Sequence, residues 1–331
     1  LVLEGKRVRV PRLHRDSLAP GEALVGPAVL VEPSSTIVVE PGFRAERRED
    51  GLLVLVDEGA PHRETASTEV DPVRLEVMNH LFMSIAEQMG AVLRRTAHST
   101  NIRDRLDFSC AVFDAEGNLV ANAPHIPVHL GAMGESVRAV KRAHPRAEPG
   151  DAFVTNDPSS GGSHLPDVTV VSPVHDAGGT LRYWVANRGH HADVGGVTPG
   201  SMPAFSRTLD DEGVVFRALP VVRGGRFDEA AFRAALAGTS HPARRPDENV
   251  ADLEAQLAAN RTGVRQLEEL AARMGPEVVT AYMEHVQASA AESVRAALRP
   301  LAGGTRRFED AMDDGTPVVV TLTIGDGSLI V

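Results

Sequence analysis

The chain has 331 residues, of which 42% are hydrophobic and 24% charged, and its formal net charge is −11. This composition is typical of a globular protein with one large or two smaller cores, and the negative charge disfavours nucleic acid or an anionic membrane as partner. No apolar run is long enough to span a bilayer. The single cysteine, Cys110, excludes an intrachain disulfide, so we expect a cytoplasmic location and a buried, inert thiol.

Residues 1–56 are predicted to form a small β module, because short runs of β-branched residues alternate there with Pro- and Gly-containing turns. The next stretch, 57–70, is polar, contains Gly59 and Pro61 and lacks hydrophobic periodicity, which is typical of a linker. The chain begins at Leu1 and its last residues resemble a strand. We therefore expect a fragment of a longer polypeptide.

Residues 71–331 are predicted to form an α+β domain, in which β-hairpins and a sheet pack against long helices. Asp71 and Pro72 suit the N-cap and first turn of an amphipathic helix. Further helices are predicted at residues 227–237, 249–274 and 276–298, hairpins at 108–121 and 168–186, and strands at 306–324.

Structural predictions can also be made for two shorter stretches of this domain. Residues 125–131, which include His125 and His129, are predicted to form an apolar loop before a helix at about 135–143. The helix 249–274 carries a polar stripe that is predicted to face solvent. The stripe consists of Asn249, Asp252, Gln256 and Asn260.

The densest group of chemically active residues lies in two H-x-x-D units, His164/Asp167 and His190/Asp193. A β-branched strand, the turn 176–179 and a returning strand separate them. Because a hairpin brings its two ends together, the units are predicted to be neighbours in space. Imidazole and carboxylate ligands suit manganese, zinc or iron better than calcium, and the lack of thiolates argues against a closed structural zinc site. The pattern therefore predicts a divalent metal site.

Each of these residues, taken alone, also has an ordinary structural explanation. A loop histidine is usually a hydrogen-bonded or surface residue, and Asp followed by Gly or Pro usually shapes a turn. Asn156 and Asp157 accordingly either hold substrate or shape their loop, and His125 and His129 could line the same cleft. It is the clustering of histidines and carboxylates around one hairpin that favours a functional site.

Several stretches of residues 71–331 resemble the hydantoinase B/oxoprolinase family, in the same order along the chain. They are D-P-V-R-L-E-V from Asp71, R-L-D-F-S-C-A-V-F-D-A-E-G from Arg105, H-I-P-V-H-L-G from His125, N-D-P-x-x-G-G-S-H-L-P-D from Asn156, and the segment around His190. Residues 1–56 resemble the C-terminal end of a hydantoinase A subunit, through G-P-A-V-L-V-E-P and S-T-I-V-V-E-P-G. An A-like end followed by a B-like beginning is what a fused 5-oxoprolinase-type polypeptide has at its junction.

The resemblance implies an ATP-dependent enzyme that opens a small cyclic amide, of the 5-oxoprolinase or hydantoinase type. ATP and Mg²⁺ are then used by a hydantoinase A-like region, fused or as a subunit, so these residues alone are expected to be inactive. A homo-oligomer is expected as well. Two alternatives stay open: a subunit of an acetone or acetophenone carboxylase, which shares the A/B pairing, and a noncatalytic assembly module.

For the site, the resemblance implies that His164, Asp167 and His190 hold the metal. His191 and Asp193 are predicted catalytic residues, His191 by moving protons and Asp193 as a further ligand or by orienting a ring nitrogen. The residues predicted to contact the substrate are Asn156, Asp157 and His129.

Overall fold

A computed structural model describes residues 1–3, 6–58, 67–123, 126–301, 303–325 and 328–330 of the protein. The chain divides into two compact units, Leu1–Thr65 and Ala66–Val331. His125 lies outside the described residues. The assignment of residues 57–70 as a linker stays a prediction, and the last strand of the first unit extends to Asp57.

The first unit consists of short strands. They are β1 (Val2–Leu3), β2 (Lys6–Arg7), β3 (Arg12–His14), β4 (Ala23–Val25), β5 (Ala28–Val31), β6 (Thr36–Val39), β7 (Phe43–Arg47) and β8 (Leu53–Asp57). The larger sheets have the strand orders β3-β5-β6 and β4-β7-β8. Their buried side chains, Ala28, Leu30, Val39 and Ala45, form one small core.

The second unit contains the helices. They are α1 (Pro72–Thr96), α2 (Thr100–Arg103), α3 (Pro127–Ala143), α4 (Leu209–Glu212), α5 (Glu229–Ala237), α6 (Pro246–Met274) and α7 (Pro276–Leu298). As predicted, the Asp71 side chain caps α1 by accepting a hydrogen bond from the Arg74 N–H. Among the described residues, no helix is both long and apolar enough to cross a membrane.

The predicted loop at residues 125–131 is wrong from Pro127 onward, because α3 already begins there. Proline suits the first turn of a helix, where its missing N–H leaves no intrahelical bond unmade. The apolar run that suggested a loop is therefore the first turn of α3, and it includes His129.

The second unit is built on a seven-stranded antiparallel sheet with the order β10-β9-β13-β12-β11-β14-β15. Its strands are β9 (Phe108–Asp114), β10 (Leu119–Asn122), β11 (Ala152–Thr155), β12 (Asp167–His175), β13 (Leu181–His190), β14 (Leu219–Arg223) and β15 (Arg226–Phe227). A separate small sheet follows α7, with β16 (Gly304–Ala311), β17 (Pro317–Gly325) and β18 (Ser328–Ile330). Helices and sheets together confirm the predicted α+β class.

Helices cover both faces of the large sheet, so its central strands are buried on both sides. On β13, Tyr183 and Val185 belong to the core formed with α1, α6 and α7. Trp184 and Ala186 point the other way, into the core formed with α3. This alternation continues along the strand, because successive side chains of a strand point to opposite faces.

The strand register brings three chemically active positions to one end of the sheet. Asp167, the first residue of β12, lies opposite His190, the last residue of β13. The carbonyl of Asp107, just before β9, accepts a hydrogen bond of 3.0 Å from the His190 N–H. The alternation places these three side chains on the face that α3 covers.

Candidate metal centre

Asp167 is the centre of a compact group of imidazoles and carboxylates. Its side chain is fully buried, and its Oδ2 lies 2.6 Å from Nδ1 of His164. Its Oδ1 lies 3.1 Å from Nδ1 of His190. One ligand atom from each of these three residues lies within 4.8 Å of the others, so the group could hold a metal ion. The His164 side chain is 35% exposed, which leaves one side of the group open.

Two buried atoms of this group have no hydrogen-bond partner among the described residues. They are Nδ1 of His164 and Oδ2 of Asp167, which face each other without the angles of a hydrogen bond. Buried polar atoms are nearly always satisfied, so such a pair calls for an explanation. A cation shared by the two atoms supplies one, since imidazole nitrogen and carboxylate oxygen are both metal ligands.

His129 and Asp107 extend the group. Nε2 of His129 lies 3.4 Å from Oδ1 of Asp167 and 3.6 Å from Oδ1 of Asp107. Oδ2 of Asp107 lies 3.9 Å from Nδ1 of His190. Asp107 had no predicted role. Its position one residue before a strand that pairs with β13 was the available signal, but using it requires the register.

The charges of the group favour an ionised Asp167. Burial raises the pKa of this carboxyl, but its close contacts with the rings of His129, His164 and His190 outweigh burial and hold the pKa below its usual range. The contact with Asp167 raises the pKa of His164, against burial, which lowers it. The carboxylate is thus in the form that binds a cation.

Asn156 and Asp157 shape the loop that carries His164. Asn156 is fully buried; its amide donates to the carbonyls of Leu165 and Val214, both at 2.8 Å, and accepts from the Phe216 N–H. Asp157 accepts from the N–H and hydroxyl of Ser159. It also pairs with Arg217 at 3.0 Å. These contacts favour the turn-shaping alternative.

The glycines of the loop let it pack directly on α3. Gly161 has φ +83°, and a Cβ at this position would lie 2.5 Å from the carbonyl oxygen of Ala132. Any larger residue would push the loop away from the helix. Gly161 thus permits the close approach of the loop, with His164, to α3, with His129.

His191 points to the opposite face of the sheet from His190. Its Nδ1 accepts from the Asn249 amide at 3.0 Å, and its Nε2 donates to Oε1 of Gln256 at 3.0 Å. Burial lowers the pKa of His191, so the ring is neutral with the proton on Nε2. The structure therefore does not bring His191 into the metal-ligand group.

Asp193 also lies apart from the group. Its carboxylate accepts from the N–H groups of Gly195 and Gly200, both at 3.0 Å. It further accepts from the backbone and the guanidinium of Arg244, at 3.1 and 2.7 Å. All four bonds fix the segment that follows β13.

The predicted solvent-facing stripe of α6 is wrong, because all its members are buried against the sheet. The most exposed of them, Asn249, is only 3% exposed. Gln256 donates to the carbonyl of Val168 at 2.8 Å, and Asn260 donates to that of Val170 at 3.1 Å. Asp252 accepts from the N–H groups of residues 98 and 99. The stripe consists of Asn249, Asp252, Gln256 and Asn260.

An α+β unit that gathers imidazole and carboxylate groups at neighbouring strand ends and the adjoining loop defines a candidate metalloenzyme component. Residues 71–331 match the profile of the hydantoinase B/oxoprolinase family, so the chain belongs to this family. It is 42% identical, over 328 residues, to a 5-oxoprolinase of Dictyostelium discoideum, covering 96% of this chain and 25% of that protein. The chain thus spans about a quarter of that relative's length.

Two solved structures have a similar fold. The ATP-dependent caprolactamase from Pseudomonas jessenii superposes with a TM-score of 0.71 at 26% identity, covering 78% of this chain and 45% of that one. The nucleotide-free acetone carboxylase superposes with a TM-score of 0.67 at 18% identity, covering 78% and 36%. At that lower identity the likeness to the carboxylase concerns the fold alone.

Proposed function

We propose that this chain is the metal-carrying part of an ATP-dependent cyclic amide hydrolase, which converts 5-oxoproline to glutamate. The observation that carries the proposal is the buried contact between Nδ1 of His164 and Oδ2 of Asp167, which lacks hydrogen-bond geometry. Its support is the identity of 42% to a protein named 5-oxoprolinase.

The residues present fit a divalent cation such as manganese, zinc or iron. His164, Asp167 and His190 are the proposed ligands, two imidazoles and one carboxylate. A cation bound there supplies Lewis-acid polarisation of a carbonyl oxygen and lowers the pKa of water. The exposed side of His164 leaves room for a small substrate beside the ligands.

The proposed reaction overcomes amide resonance, which makes an unstrained lactam a poor electrophile. Transfer of the γ-phosphoryl group of ATP to the lactam oxygen yields ADP and an imidate-like phosphate ester. Water then adds to the former carbonyl carbon of the lactam. Cleavage of the C–N bond gives an amine and an acyl phosphate. A second water releases phosphate and leaves glutamate. The nucleotide is proposed to bind to a hydantoinase A-like region, fused or as a subunit.

The contacts suggest revised roles for the other predicted residues. His129 lies between Asp107 and Asp167, so we assign it to proton transfer within the buried part of the site. His191 and Asp193 are assigned supporting roles, because their polar atoms bind α6 and the segment after β13. Neither residue is expected to touch the substrate.

The experiment is an assay of the intact protein for glutamate released from 5-oxoproline with and without ATP. We expect release only with ATP, and a loss of at least about 100-fold in the variant His164→Ala, since metal ligands are essential to such chemistry. The matched control is His80→Ala, which changes an exposed histidine of α1 that pairs only with Glu76 among the described contacts. Metal analysis of all three proteins accompanies the assay.

The outcomes separate the proposal from its alternatives. ATP-dependent carboxylation of acetone without any lactam cleavage would assign the chain to the carboxylase branch. Full activity of His164→Ala would reject the site, and bound metal without any turnover of lactam or ketone would favour a structural ion.

A further inference from the structure

Arg188 is a fully buried cation directly behind the proposed metal site. Among the described residues, its side-chain hydrogen bonds all go to neutral oxygens, at 2.7 to 3.1 Å. Nε donates to Thr169 Oγ1, Nη1 to Ser163 Oγ and the His129 carbonyl, and Nη2 to Ser136 Oγ and the Gly161 carbonyl. Within the described part of the chain, no carboxylate lies at ion-pair distance from it. Burying a charge without such a partner is costly.

The contacts of Arg188 connect three separate pieces of the fold. Thr169 belongs to the central strand β12, and the His129 carbonyl belongs to α3. Ser163 lies in the loop between β11 and β12. A guanidinium suits this arrangement because its donors form a rigid planar fork, whereas a lysine ammonium is a compact point charge.

Each connected piece carries a residue of the metal group. Ser163 directly precedes His164, and Thr169 follows Asp167 by two positions on the same face of β12. The carbonyl bound on α3 is that of His129, whose ring contacts Asp167. Arg188 itself precedes His190 by two positions on β13.

We propose that Arg188 is a positioning residue that ties the loop of Ser163 and helix α3 to the sheet, so that the rings of His164 and His129 converge on Asp167. The inference rests on the proposed metal site. It assigns Arg188 no contact with substrate or cation. The loop depends on it most, because β12 is held by its neighbouring strands and α3 by its apolar core.

Two variants that each remove one acceptor of Arg188 separate positioning from ordinary packing. Ser163→Ala removes one of the two bonds to the loop and leaves the bond to the Gly161 carbonyl, and Thr169→Val removes the bond to β12 with little change in volume. Both leave the guanidinium in place, so neither creates a large cavity. Arg188→Lys is a third variant, which retains the charge and loses the fork.

The experiment measures three properties of each intact variant. Hydrogen exchange of residues 158–166 in the metal-free protein reports the loop. Calorimetry with Zn²⁺ reports affinity, and the visible absorption spectrum with Co²⁺ reports ligand geometry. We expect Ser163→Ala and Arg188→Lys to exchange faster in this segment, to bind Zn²⁺ about tenfold more weakly and to change the Co²⁺ spectrum. Thr169→Val is expected to match the parent in all three.

The proposal is overturned if Ser163→Ala exchanges like Thr169→Val and keeps the parent's Co²⁺ spectrum. A parent protein that binds neither Zn²⁺ nor Co²⁺ removes the proposed metal function instead, and the exchange of residues 158–166 then decides alone whether Arg188 holds the loop. If Arg188→Lys fails to fold, the two single-acceptor variants still decide.

Discussion

Asp167 combines complete burial with contacts to the rings of three histidines, so its carboxylate cannot be replaced by a neutral group of the same shape. Asn in this position keeps one acceptor oxygen and turns an N–H₂ group toward an imidazole. We expect Asp167→Asn to lose bound metal and to lower the free energy of unfolding by about 1–3 kcal/mol. Metal analysis and urea unfolding measure both effects.

The control is Asp176→Asn, at the turn of the same hairpin, where the carboxylate binds Arg182 and lies outside the metal group. This variant should retain the parent's metal content. Equal metal content in Asp167→Asn and the parent would contradict the ligand assignment.

Cys110 is a second residue whose environment decides its chemistry. It lies in β9 with no exposed surface, and burial raises the pKa of its thiol far above the ordinary value. Because the thiolate is the reactive form, we expect no reaction with a thiol reagent in the native protein and one equivalent after unfolding. Rapid labelling of the native protein at neutral pH would show that β9 opens readily.

The proximity of His164, Asp167 and His190 could be predicted from sequence, because their spacing and the intervening hairpin are local features. The proximity of Asp107 and His129 could not. It depends on which strand pairs with β13 and on where α3 crosses the sheet, and both are non-local. The role of His191 could not be predicted either. It follows His190 directly, but its side chain points to the opposite face of the sheet.

Helix α6 shows the corresponding limit at the level of elements. Hydrophobic periodicity assigns polar positions to solvent, whereas here a polar row faces the sheet and binds its backbone carbonyls. Amide side chains that satisfy buried carbonyls are indistinguishable, by polarity alone, from a solvated face. The end of the helix at Met274 was predictable, because the apolar repeat and Pro276 are local signals, whereas its start at Pro246 lies three residues before the predicted one.

The α6 row predicts an unequal effect of two similar substitutions. Gln256→Leu leaves the proton on Nε2 of His191 and the Val168 carbonyl without their partner, so we expect a loss of about 2 kcal/mol or more in unfolding free energy. Gln266→Leu, on the same helix, removes a contact with Gln88 near the surface and should cost less than about 1 kcal/mol. Guanidinium unfolding compares the two, and equal losses would refute a supporting role for the buried row.

Tyr183 joins β13 to the start of α7, and its hydroxyl donates to the Pro276 carbonyl at 2.9 Å. Burial raises its pKa, so in alkali the unfolded chain releases this proton first, at about pH 10, while the native protein keeps it. The stabilising contribution is therefore complete below about pH 10 and is lost as the pH rises through the native pKa.

We expect Tyr183→Phe to lose less stability than the parent as the pH rises above about 10. Urea unfolding at several pH values measures this. Because the chain has only two tyrosines, the difference between the ultraviolet titrations of parent and variant isolates Tyr183. If the unfolding free energies of parent and variant change equally with pH, the ionisation of this hydroxyl does not affect stability.

The whole chain separates into two compact units, and the border between Thr65 and Ala66 falls inside the stretch predicted as a linker. Limited proteolysis should therefore cut first within residues 57–70, since boundaries between units have few stabilising contacts. N-terminal sequencing of the early fragments locates the cut. First cleavage within residues 71–98 would show that the predicted boundary is wrong.

The buried row of α6 has a consequence for the order of events during synthesis. The ribosome releases the β12–β13 hairpin, with all three proposed ligands, well before it releases α6. Until α6 docks, the carbonyls of the hairpin and the ring of His191 lack their helical partners. Because such long-range contacts form late in folding, the proposed ligands are synthesised before they are held in the geometry of a binding site. Metal loading of the nascent chain is therefore expected to wait for a helix that packs on the opposite face of the sheet from the proposed ligands.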